Sequence, residues 1–411
     1  MRILLTTRRD VNEQRNPIAL LDLAAYWRRS GHSVDCYDIR QLRAMSAPHK
    51  PYDLVALSVL QTLSEDAPLK DALFLKRKFH SKVVIGGKWT RTIPDQSKDF
   101  LSRQGIEVYD GPGEQYFVSQ EIDFQSYPAW EQVDFKTLGD VRRDIMSTRG
   151  CPYHCAFCHN TEKKISFFSA KRTADNIQLL FNLGADFISF VDDIFTLKPS
   201  HMESLYHELK NRGIAIEGRC EFFTHVNYIN EKTIPWMQRY KPLRISIGIE
   251  SGDDRMLKLM GKGFDSATAY EKLKQLYEAV QLPLGNLYLI GFPGETEESL
   301  KNTLEFIRKT RSIAGCWISY YQPVRGTSGY KLALERNPKA KTGFRNTTIS
   351  YVDPNLTKRL LFKYSYMMQD PSTGDTLRSK ILYSAINLAP YWLLSTLRTF
   401  RQNRRLRAIM N

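Results

Sequence analysis

The sequence predicts an α/β protein built from two successive parallel-sheet regions and a helical tail. Short apolar strands alternate with amphipathic helices through residues 1–121, and the alternation restarts near Arg142 for about six strand–helix units. This pattern is typical of parallel sheets covered by helices. A length of 411 residues suits two domains. We therefore expect a doubly wound parallel sheet followed by a partial (β/α)6 barrel, with a mainly helical C-terminal tail.

The N-terminal region supplies five strand candidates. MRILLTT comes first, followed by a helical pattern over 17–29, and then by SVDCYD, DLVALSV, KVVIGG and IEVYDG. Glycines come directly after two of these strands, at Gly86-Gly87 and at Gly111 and Gly113. Doubly wound sheets bind ligands beyond the carboxyl ends of their strands. These glycines therefore mark the expected binding edge of a domain over residues 1–121.

Residues 122–140 show little periodicity and are predicted to be a linker. The second region, 141–325, offers the strands DIMSTRG, FISFVDD, AIEGRCEFF, LRISIGIE, GNLYLIGF and CWISYYQP. Consecutive right-handed strand–helix units curve into a barrel whose chemistry lies at the strand ends. The last region, 326–411, is predicted to be mainly helical. After Asp375 it has no acidic residue but seven basic ones, which flank the interrupted apolar segment ILYSAINLAPYWLLSTL.

The charge balance is strongly basic. The formal net charge is +15, while 42% hydrophobic and 25% charged residues exclude a disordered chain. Nucleic acid, an anionic membrane surface and acidic ligands each fit such a charge, as does an ordinary solvated surface. No RNA-binding module is evident in the C-terminal region, so nucleic acid is the weakest of these readings.

Cysteine usage and the N-terminus indicate a reducing compartment. The start, MRILLTTRRD, lacks the long apolar stretch and small-residue cleavage site of a signal peptide, and no charge-free apolar run reaches the roughly 20 residues that span a bilayer. Three of the six cysteines fall within eight residues, which is unlike a disulfide framework. We expect a cytoplasmic protein in which clustered thiolates hold metal.

The central motif is STRGCPYHCAFCHN, which follows a predicted strand. Cys151, Cys155 and Cys158 have the spacing Cys-x3-Cys-x2-Cys, and three thiolates in one loop can ligate three corners of a 4Fe-4S cluster. The fourth iron would then stay open to another ligand. A zinc site closed by His154 or His159 is the alternative.

This loop resembles that of the radical S-adenosylmethionine (SAM) superfamily, with Phe157 at the aromatic position before the last cysteine. The resemblance implies that SAM binds the open iron and is cleaved reductively to methionine and a 5'-deoxyadenosyl radical. It extends to FVDDIFT, GRCEFF, IGIESGDDRMLKLMGKG and LYLIGFPGETEES, which end the predicted strands. The SAM-binding residues that it implies are Phe157, Asp192, Asp193, Glu221, Glu250, Ser251, Ile290, Gly291 and Phe292. Helix capping by the aspartates and a simple turn after Phe292 are the structural alternatives.

The order of an α/β domain and then a radical SAM barrel resembles the cobalamin-binding subgroup of that superfamily. The stretches that carry this resemblance are PYDLVALSV, VVIGGKWTRTIP and YDGPGEQYF. They place Ser58, Gly86, Gly87, Thr90, Gly111 and Gly113 around a corrin and its nucleotide tail. The Asp-x-His-x-x-Gly loop of methionine-synthase-like domains is absent, so no lower axial histidine comes from it. A domain that has lost cobalamin and serves as a scaffold is the alternative.

The implied function is cobalamin-dependent radical methylation of an unactivated carbon in a biosynthetic pathway. A cyclase or rearrangement enzyme of the same subgroup is the first alternative. A methylthiotransferase of RNA or protein would carry three more cysteines in its N-terminal domain, whereas Cys36 alone precedes Cys151. A non-catalytic iron–sulfur interaction protein is the last alternative.

The expected partners are a small-molecule substrate, for which a lipid-like molecule is one candidate, and an electron donor such as flavodoxin or ferredoxin. The basic, partly apolar tail fits a peripheral contact with the inner face of a membrane. A helix packed on the barrel with a solvated basic end explains the same tail equally simply.

Overall fold

The computed structural model describes residues 1–8, 17–46, 51–59, 66–118, 120–130, 144–159, 162–282, 284–342 and 348–369. The chain forms two compact units. The first comprises Met1–Cys151, Thr161–Phe223 and Arg239–Leu243, and the second comprises Pro152–Asn160, Thr224–Gln238 and Arg244–Asn411. These units are discontinuous in sequence and differ from the domains expected from the sequence, with boundaries at 121, 141 and 326. Those domain boundaries stay a prediction.

The first unit opens with a five-stranded parallel sheet in the order β2-β1-β3-β4-β5. Its elements are β1 (Arg2–Thr7), α1 (Ile18–Arg29), β2 (Ser33–Asp38), α2 (Ile39–Ala44), β3 (Leu54–Ser58), α3 (Asp66–Phe79), β4 (Lys82–Gly86), α4 (Asp95–Arg103) and β5 (Ile106–Tyr109). This order reverses direction between β1 and β3, as in doubly wound folds. All five predicted strands and the predicted topology class are confirmed.

Local sequence explains these elements. The strands β1, β3 and β4 are apolar on both faces, as expected for parallel strands that helices cover on both sides. Asp38 begins α2 with a capping box, in which its side chain accepts from a backbone N–H and Gln41 reciprocates. Burial of Leu4, Val55 and Val83 in one apolar cluster stabilises the sheet.

The rest of the first unit surrounds a second set of parallel strands. Its elements are a 3-10 turn (Gly113–Gln115), β6 (Asp144–Ile145), β7 (Thr148–Arg149), β8 (Ser166–Phe167), α5 (Ala170–Asn182), β9 (Ile188–Phe190), α6 (Pro199–Asn211) and β10 (Cys220–Thr224). The strand β9 pairs in parallel with both β6 and β10.

The predicted strand over 144–150 is divided into β6 and β7. At the break between them, the backbone N–H groups of Ser147 and Thr148 donate to the carboxylate of Asp192. Beyond this break, β7 forms an antiparallel pair with β8 that the sequence analysis did not anticipate.

The second unit contains three parallel strands in the order β11-β12-β13. Its helices and strands are α7 (Ile234–Tyr240, which crosses into the first unit), β11 (Arg244–Glu250), α8 (Asp254–Met260), α9 (Ser266–Val280), β12 (Leu284–Ile290), α10 (Glu297–Thr310), β13 (Ala314–Tyr320), α11 (Ser328–Arg336) and α12 (Lys358–Gln369). With β6, β9 and β10, all six strand candidates of the second region are present, and the predicted fold class is confirmed.

The C-terminal region is held to the second unit by a buried carboxylate. Asp353 accepts two bonds from the Arg336 guanidinium, at 2.5 and 2.9 Å, and one from the Gly294 N–H at 2.7 Å. Residues 370–411, with the basic tail and its apolar segment, lie outside the described residues. Among the described helices, none combines the length and the apolar character needed to cross a membrane.

Candidate cofactor site

The loop that carries the three cysteines has no helix or strand between Gly150 and His159. Cys151 and Cys155 are half-buried, and Cys158 is exposed. Gly150 has φ +94°, and a Cβ there would lie 2.3 Å from the Lys164 carbonyl oxygen, so the turn into the loop requires glycine. The Cys151 N–H donates to the Glu162 carbonyl at 3.1 Å, which fixes the start of the loop.

Backbone hydrogen bonds hold the middle of the loop within the second unit. The Ala156 N–H donates to the Met260 carbonyl at 2.9 Å, and the Gly329 N–H donates to the Ala156 carbonyl at 2.7 Å. Ala156 lies between two of the cysteines, so both of its backbone polar groups are fixed by residues that are distant in sequence.

Tyr153, inside the loop, is held by side chains. Its ring stacks on His225 with centroids 3.9 Å apart and an interplanar angle of 17°. Asn227 Nδ2 donates to the Tyr153 hydroxyl at 3.0 Å and also lies 3.2 Å from the Gly263 carbonyl oxygen. Burial lowers the pKa of His225 to about 3, so a neutral imidazole forms this stack at physiological pH. His225 and Asn227 were missed because no local motif marks them.

The donor set of the loop suits an iron–sulfur cluster. Within the described residues no three His, Cys, Asp or Glu side chains converge on one metal ion. A cubane binds each thiolate at a different iron atom, so its ligands need not converge on one point. Three soft thiols in eight residues, none of them in a disulfide, match that requirement.

Asp192 lies at the end of β9 and is buried. Its Oδ1 accepts from the Ser147 N–H and hydroxyl, both at 3.0 Å, and from the Thr148 hydroxyl at 2.6 Å. Burial raises the pKa of Asp192 to about 6, although these bonds favour the ionised form. Its Oδ2 is buried without a hydrogen-bond partner among the described residues. Asp192 thus fixes the chain just ahead of the cysteine loop, while its neighbour Asp193 is exposed.

The remaining carboxylates of the predicted SAM set differ in their surroundings. Glu221, on β10, accepts from the Ser189 hydroxyl at 2.8 Å. Glu250 ends β11 at an irregular register and has φ 71°, a rare conformation for a side chain of this size. Burial raises the pKa of Glu250, and the Lys262 ammonium, 3.5 Å from its Oε1, opposes that rise.

Lys262 was missed by the sequence analysis although it lies within the quoted motif. Its side chain is only 4% exposed, and its Nζ lies 5.9 Å from the ring centroid of Phe157 and 5.6 Å from that of Phe264. A buried cation between two aromatic faces and one carboxylate is costly unless those groups compensate it. The pair Glu250–Lys262 therefore places opposite charges directly beside the aromatic residue of the cysteine loop.

The other predicted SAM residues pack around the next strand ends. The Ser251 hydroxyl bonds to the Thr303 hydroxyl at 3.0 Å and accepts from the Asp253 N–H at 3.1 Å. Ile290 and Phe292 are fully buried. The Gly291 N–H donates to Glu295, a buried carboxylate that the sequence analysis did not single out. Burial raises the pKa of Glu295 to about 8, and its Oε1 has no hydrogen-bond partner among the described residues.

The predicted cobalamin residues lie where β3, β4 and β5 end. Ser58 accepts from the Thr7 hydroxyl at 2.8 Å through its carbonyl, and Thr90 is buried with its hydroxyl 2.9 Å from the Gly87 carbonyl oxygen. Gly87 has φ +102°, and a Cβ there would lie 2.3 Å from the Val59 carbonyl oxygen. Parallel strands end at one edge, so β3, β4 and β5 bring Ser58, Gly86, Gly87, Thr90, Gly111 and Gly113 to the same edge of the sheet.

Sequence comparison matches residues 145–307 to the family model described as the radical SAM superfamily. An uncharacterized methyltransferase of Pyrococcus horikoshii is 28% identical over 238 residues, which are 57% of this chain and 50% of that protein. The ribosomal protein uS12 methylthiotransferase RimO of Klebsiella pneumoniae is 28% identical over 45% of this chain and 46% of its own length. The chain thus spans about half the length of these curated relatives.

Solved structures share the fold at low identity. The radical SAM methyltransferase TsrM from Kitasatospora setae, with tryptophan substrate and a SAM analogue bound, aligns over 99% of both chains with a TM-score of 0.67 and 14% identity. The cobalamin-dependent SAM radical enzyme OxsB, with aqua-cobalamin and SAM bound, aligns over 82% of this chain and 55% of its own with a TM-score of 0.60 and 17% identity. The segment that matches the radical SAM superfamily model, residues 145–307, contains the cysteine loop and the ends of β9, β10, β11 and β12.

Proposed function

We propose that this enzyme cleaves SAM at a 4Fe-4S cluster held by Cys151, Cys155 and Cys158 and methylates an unactivated carbon of a small molecule with the help of cobalamin. The observation that carries the proposal is the cysteine loop. It supplies three thiols in eight residues, and its backbone is fixed at Cys151 and at Ala156 by hydrogen bonds to other segments.

The protein's part in SAM cleavage is to bind, orient and exclude water. When bound, the cluster supplies the electron that splits SAM into methionine and the 5'-deoxyadenosyl radical. Glu250 and Ser251 are proposed to face the ribose, and the apolar Ile290 and Phe292 to line the adenine side. The Lys262 ammonium, 3.5 Å from Glu250 Oε1, opposes the rise in the Glu250 pKa that burial causes and so favours its ionised form. Phe157 covers the Lys262 ammonium beside the loop and shields it from water.

Cobalamin is proposed to bind at the carboxyl edge of the five-stranded sheet. When bound, it supplies a cobalt centre that carries the methyl group between SAM and the substrate. Gly86, Gly87, Gly111 and Gly113 allow close approach of the backbone to neighbouring groups at this edge, and Thr90 is fixed by its bond to Gly87. Support comes from the ligand-binding edge of doubly wound sheets and from the fold shared with TsrM over the whole chain.

Two other reactions compete with methylation. A cyclase or rearrangement enzyme would use the same cofactors without methyl transfer. Methylthiolation has support from the similarity to RimO over 45% of the chain. However, a second cluster in the N-terminal region would need more cysteines than Cys36, the only one before Cys151. A non-catalytic iron–sulfur protein would bind the cluster without cleaving SAM.

The test is anaerobic purification, cluster reconstitution and titration with hydroxocobalamin, followed by reduction in the presence of SAM. We expect about four iron atoms per chain, a bound-cobalamin spectrum, 5'-deoxyadenosine, and S-adenosylhomocysteine once substrate is present. Cys158→Ser is expected to abolish 5'-deoxyadenosine formation. Cys316→Ser is the matched control, because Cys316 is half-buried on β13 and its Sγ contacts the Met368 carbonyl instead.

Each part of the proposal has its own contrary result. Loss of iron without loss of 5'-deoxyadenosine in Cys158→Ser would refute the cluster assignment. Absence of a bound-cobalamin spectrum would leave a cobalamin-independent radical enzyme. Formation of 5'-deoxyadenosine without S-adenosylhomocysteine would favour cyclisation or rearrangement.

The proposed partners are a small-molecule substrate and a flavodoxin- or ferredoxin-like electron donor. The basic tail is the basis for two further predictions, a lipid-like substrate and contact with the inner face of a membrane. Liposome binding by the full chain and by a form lacking residues 376–411 tests them. Equal binding of both forms would remove the tail from the proposal.

A further inference from the structure

A chain of polar contacts in the first unit links the end of the five-stranded sheet to the first cysteine. It begins at Glu114, in the 3-10 turn that follows β5, and ends at Cys151. Glu114 is only 4% exposed, yet its Oε1 accepts from the Arg149 guanidinium at 2.8 Å and from the Tyr127 hydroxyl at 2.9 Å. A carboxylate buried to this degree requires such partners.

Arg149 is the last residue of β7 and lies two positions before Cys151. Its Nη1 bonds to Glu114, while its Nε lies 3.2 Å from the Glu162 carboxylate. The backbone carbonyl of Glu162 in turn accepts from the Cys151 N–H at 3.1 Å. Arg149 thus joins Glu114 on one side to the segment that fixes Cys151 on the other.

The same end of the turn is tied to the sheet region. The Trp27 indole N–H, on α1, donates to the Gly113 carbonyl at 3.2 Å, next to Glu114. The Arg149 guanidinium also lies 5.6 Å from the ring centroid of Phe124. The packing of α1 therefore fixes the turn, and the turn fixes Arg149.

We infer that Glu114 is a positioning residue for Cys151, acting through Arg149 and Glu162. The inference rests on the proposed role of Cys151 as a cluster ligand and deepens it, because it gives the N-terminal region a part in setting the cluster site. Loss of the Glu114 carboxylate releases the guanidinium, which loosens the Glu162 contact and the backbone bond to Cys151. The loop beyond Pro152 has its own contacts at Tyr153 and Ala156 and is expected to stay in place.

The test compares alkylation of individual cysteines by iodoacetamide in the metal-free full-length chain, with mass spectrometry as the readout. Glu114→Ala is expected to raise the alkylation rate of Cys151 by at least about fivefold, the lower end of typical coupling between sites, with less than a twofold change at Cys158. Glu114→Gln keeps an acceptor for Tyr127 and Arg149 and is expected to give a smaller rise. Arg149→Lys keeps the charge but not the paired contacts, and is expected to resemble Glu114→Ala.

Asp71→Asn is the matched control. Asp71 is fully buried in the same unit and pairs with Arg8 and Arg43, neither of which belongs to the segment before Cys151. It is expected to lower thermal stability without changing the ratio of the Cys151 and Cys158 rates. An unchanged ratio in both Glu114→Ala and Arg149→Lys would overturn the inference, as would an equal change of that ratio in Asp71→Asn.

A second readout uses the reconstituted protein. The rate at which a chelator removes iron is expected to increase in Glu114→Ala and Arg149→Lys and to stay at the wild-type value in Asp71→Asn. Failure of the protein to bind a cluster or cleave SAM would refute the proposed function. Because alkylation is measured on the metal-free chain, it would still test whether Glu114 positions Cys151.

Discussion

The carboxyl edge of the N-terminal sheet and the strand ends around the cysteine loop are built in different ways. At the sheet edge, glycines and neutral polar side chains pack against nearby backbone groups. The Thr90 hydroxyl bonds to the Gly87 carbonyl, and Gly87 lies close to the Val59 backbone. Around the cysteine loop, the second unit buries the charged pair Glu250–Lys262 and the carboxyl of Glu295, with Oε1 of Glu295 unpartnered among the described residues. The groups at the sheet edge are satisfied by their packing contacts at little cost, whereas the buried charged groups of the second arrangement lower stability, which is typical of functional sites.

The largest expected effect tests the charged pair. Lys262→Met removes the ammonium and leaves Glu250 buried, so we expect a loss of roughly 3 kcal/mol in the free energy of unfolding, measured with urea. The double variant Lys262→Met/Glu250→Gln should recover much of that loss while SAM binding stays impaired. If the single variant is as stable as wild type, the contact at 3.5 Å contributes little and the contrast with the sheet edge weakens.

Gly87→Ala tests the sheet edge. Its Cβ would lie 2.3 Å from the Val59 carbonyl oxygen at a backbone φ of +102°, so we expect a loss of about 2–3 kcal/mol in unfolding free energy. Thr90→Val, which removes one hydrogen bond beside it, should cost only about 1 kcal/mol. Hydroxocobalamin titration of both variants would sharpen the comparison. Normal affinity in a destabilised Gly87→Ala would show that this glycine serves packing and not the ligand.

Glu295 should make stability depend on pH. Its folded pKa of about 8 lies above that of an unfolded glutamate, so the folded state binds the proton more tightly. The resulting stability is fully present below about pH 4.5 and is lost as pH rises through 8, with a loss of roughly 2 kcal/mol between pH 6 and 8. Denaturant unfolding at both pH values, with Glu295→Gln as the control that lacks this slope, checks it. A wild-type slope identical to that of the glutamine variant would contradict the assignment.

The smallest effect concerns Tyr153. Tyr153→Phe keeps the stack on His225 but loses the bond from Asn227, so we expect about 1 kcal/mol lower stability and at most about a twofold faster loss of iron to a chelator. Tyr153→Ala also loses the stack and should release iron much faster. Equal behaviour of the two variants would mean that the ring contributes nothing to holding the loop.

Most of the fold could be predicted because its signals are local. Strands such as Leu54–Ser58 and helices such as Ile18–Arg29 coincide with their apolar patterns within one or two residues. The break between β6 and β7 could not be predicted in this way, because Asp192 reaches Ser147 from a distant part of the sequence. In the candidate site, too, local sequence signals could be predicted and contacts between distant residues could not.

The cysteines and the strand ends can be predicted from the spacing of residues in the sequence. Three residues that contact this region, His225, Lys262 and Glu114, are identified only from their contacts in the structure. Lys262 adjoins a glycine-rich turn and reads as a surface lysine until its burial is known. In the sequence, Glu114 is an ordinary polar residue after Gly113. Its link to the cysteines becomes visible only through its ion pair with Arg149.

The bond from the Gly329 N–H to the Ala156 carbonyl has a consequence for biosynthesis. Ala156 is synthesised before Gly329, so a ribosome must complete the strands and helices between them before the cysteine loop acquires this backbone partner. Met260 and His225, which also contact the loop, likewise follow it in the chain. Insertion of a cluster is therefore expected only after synthesis of the barrel strands.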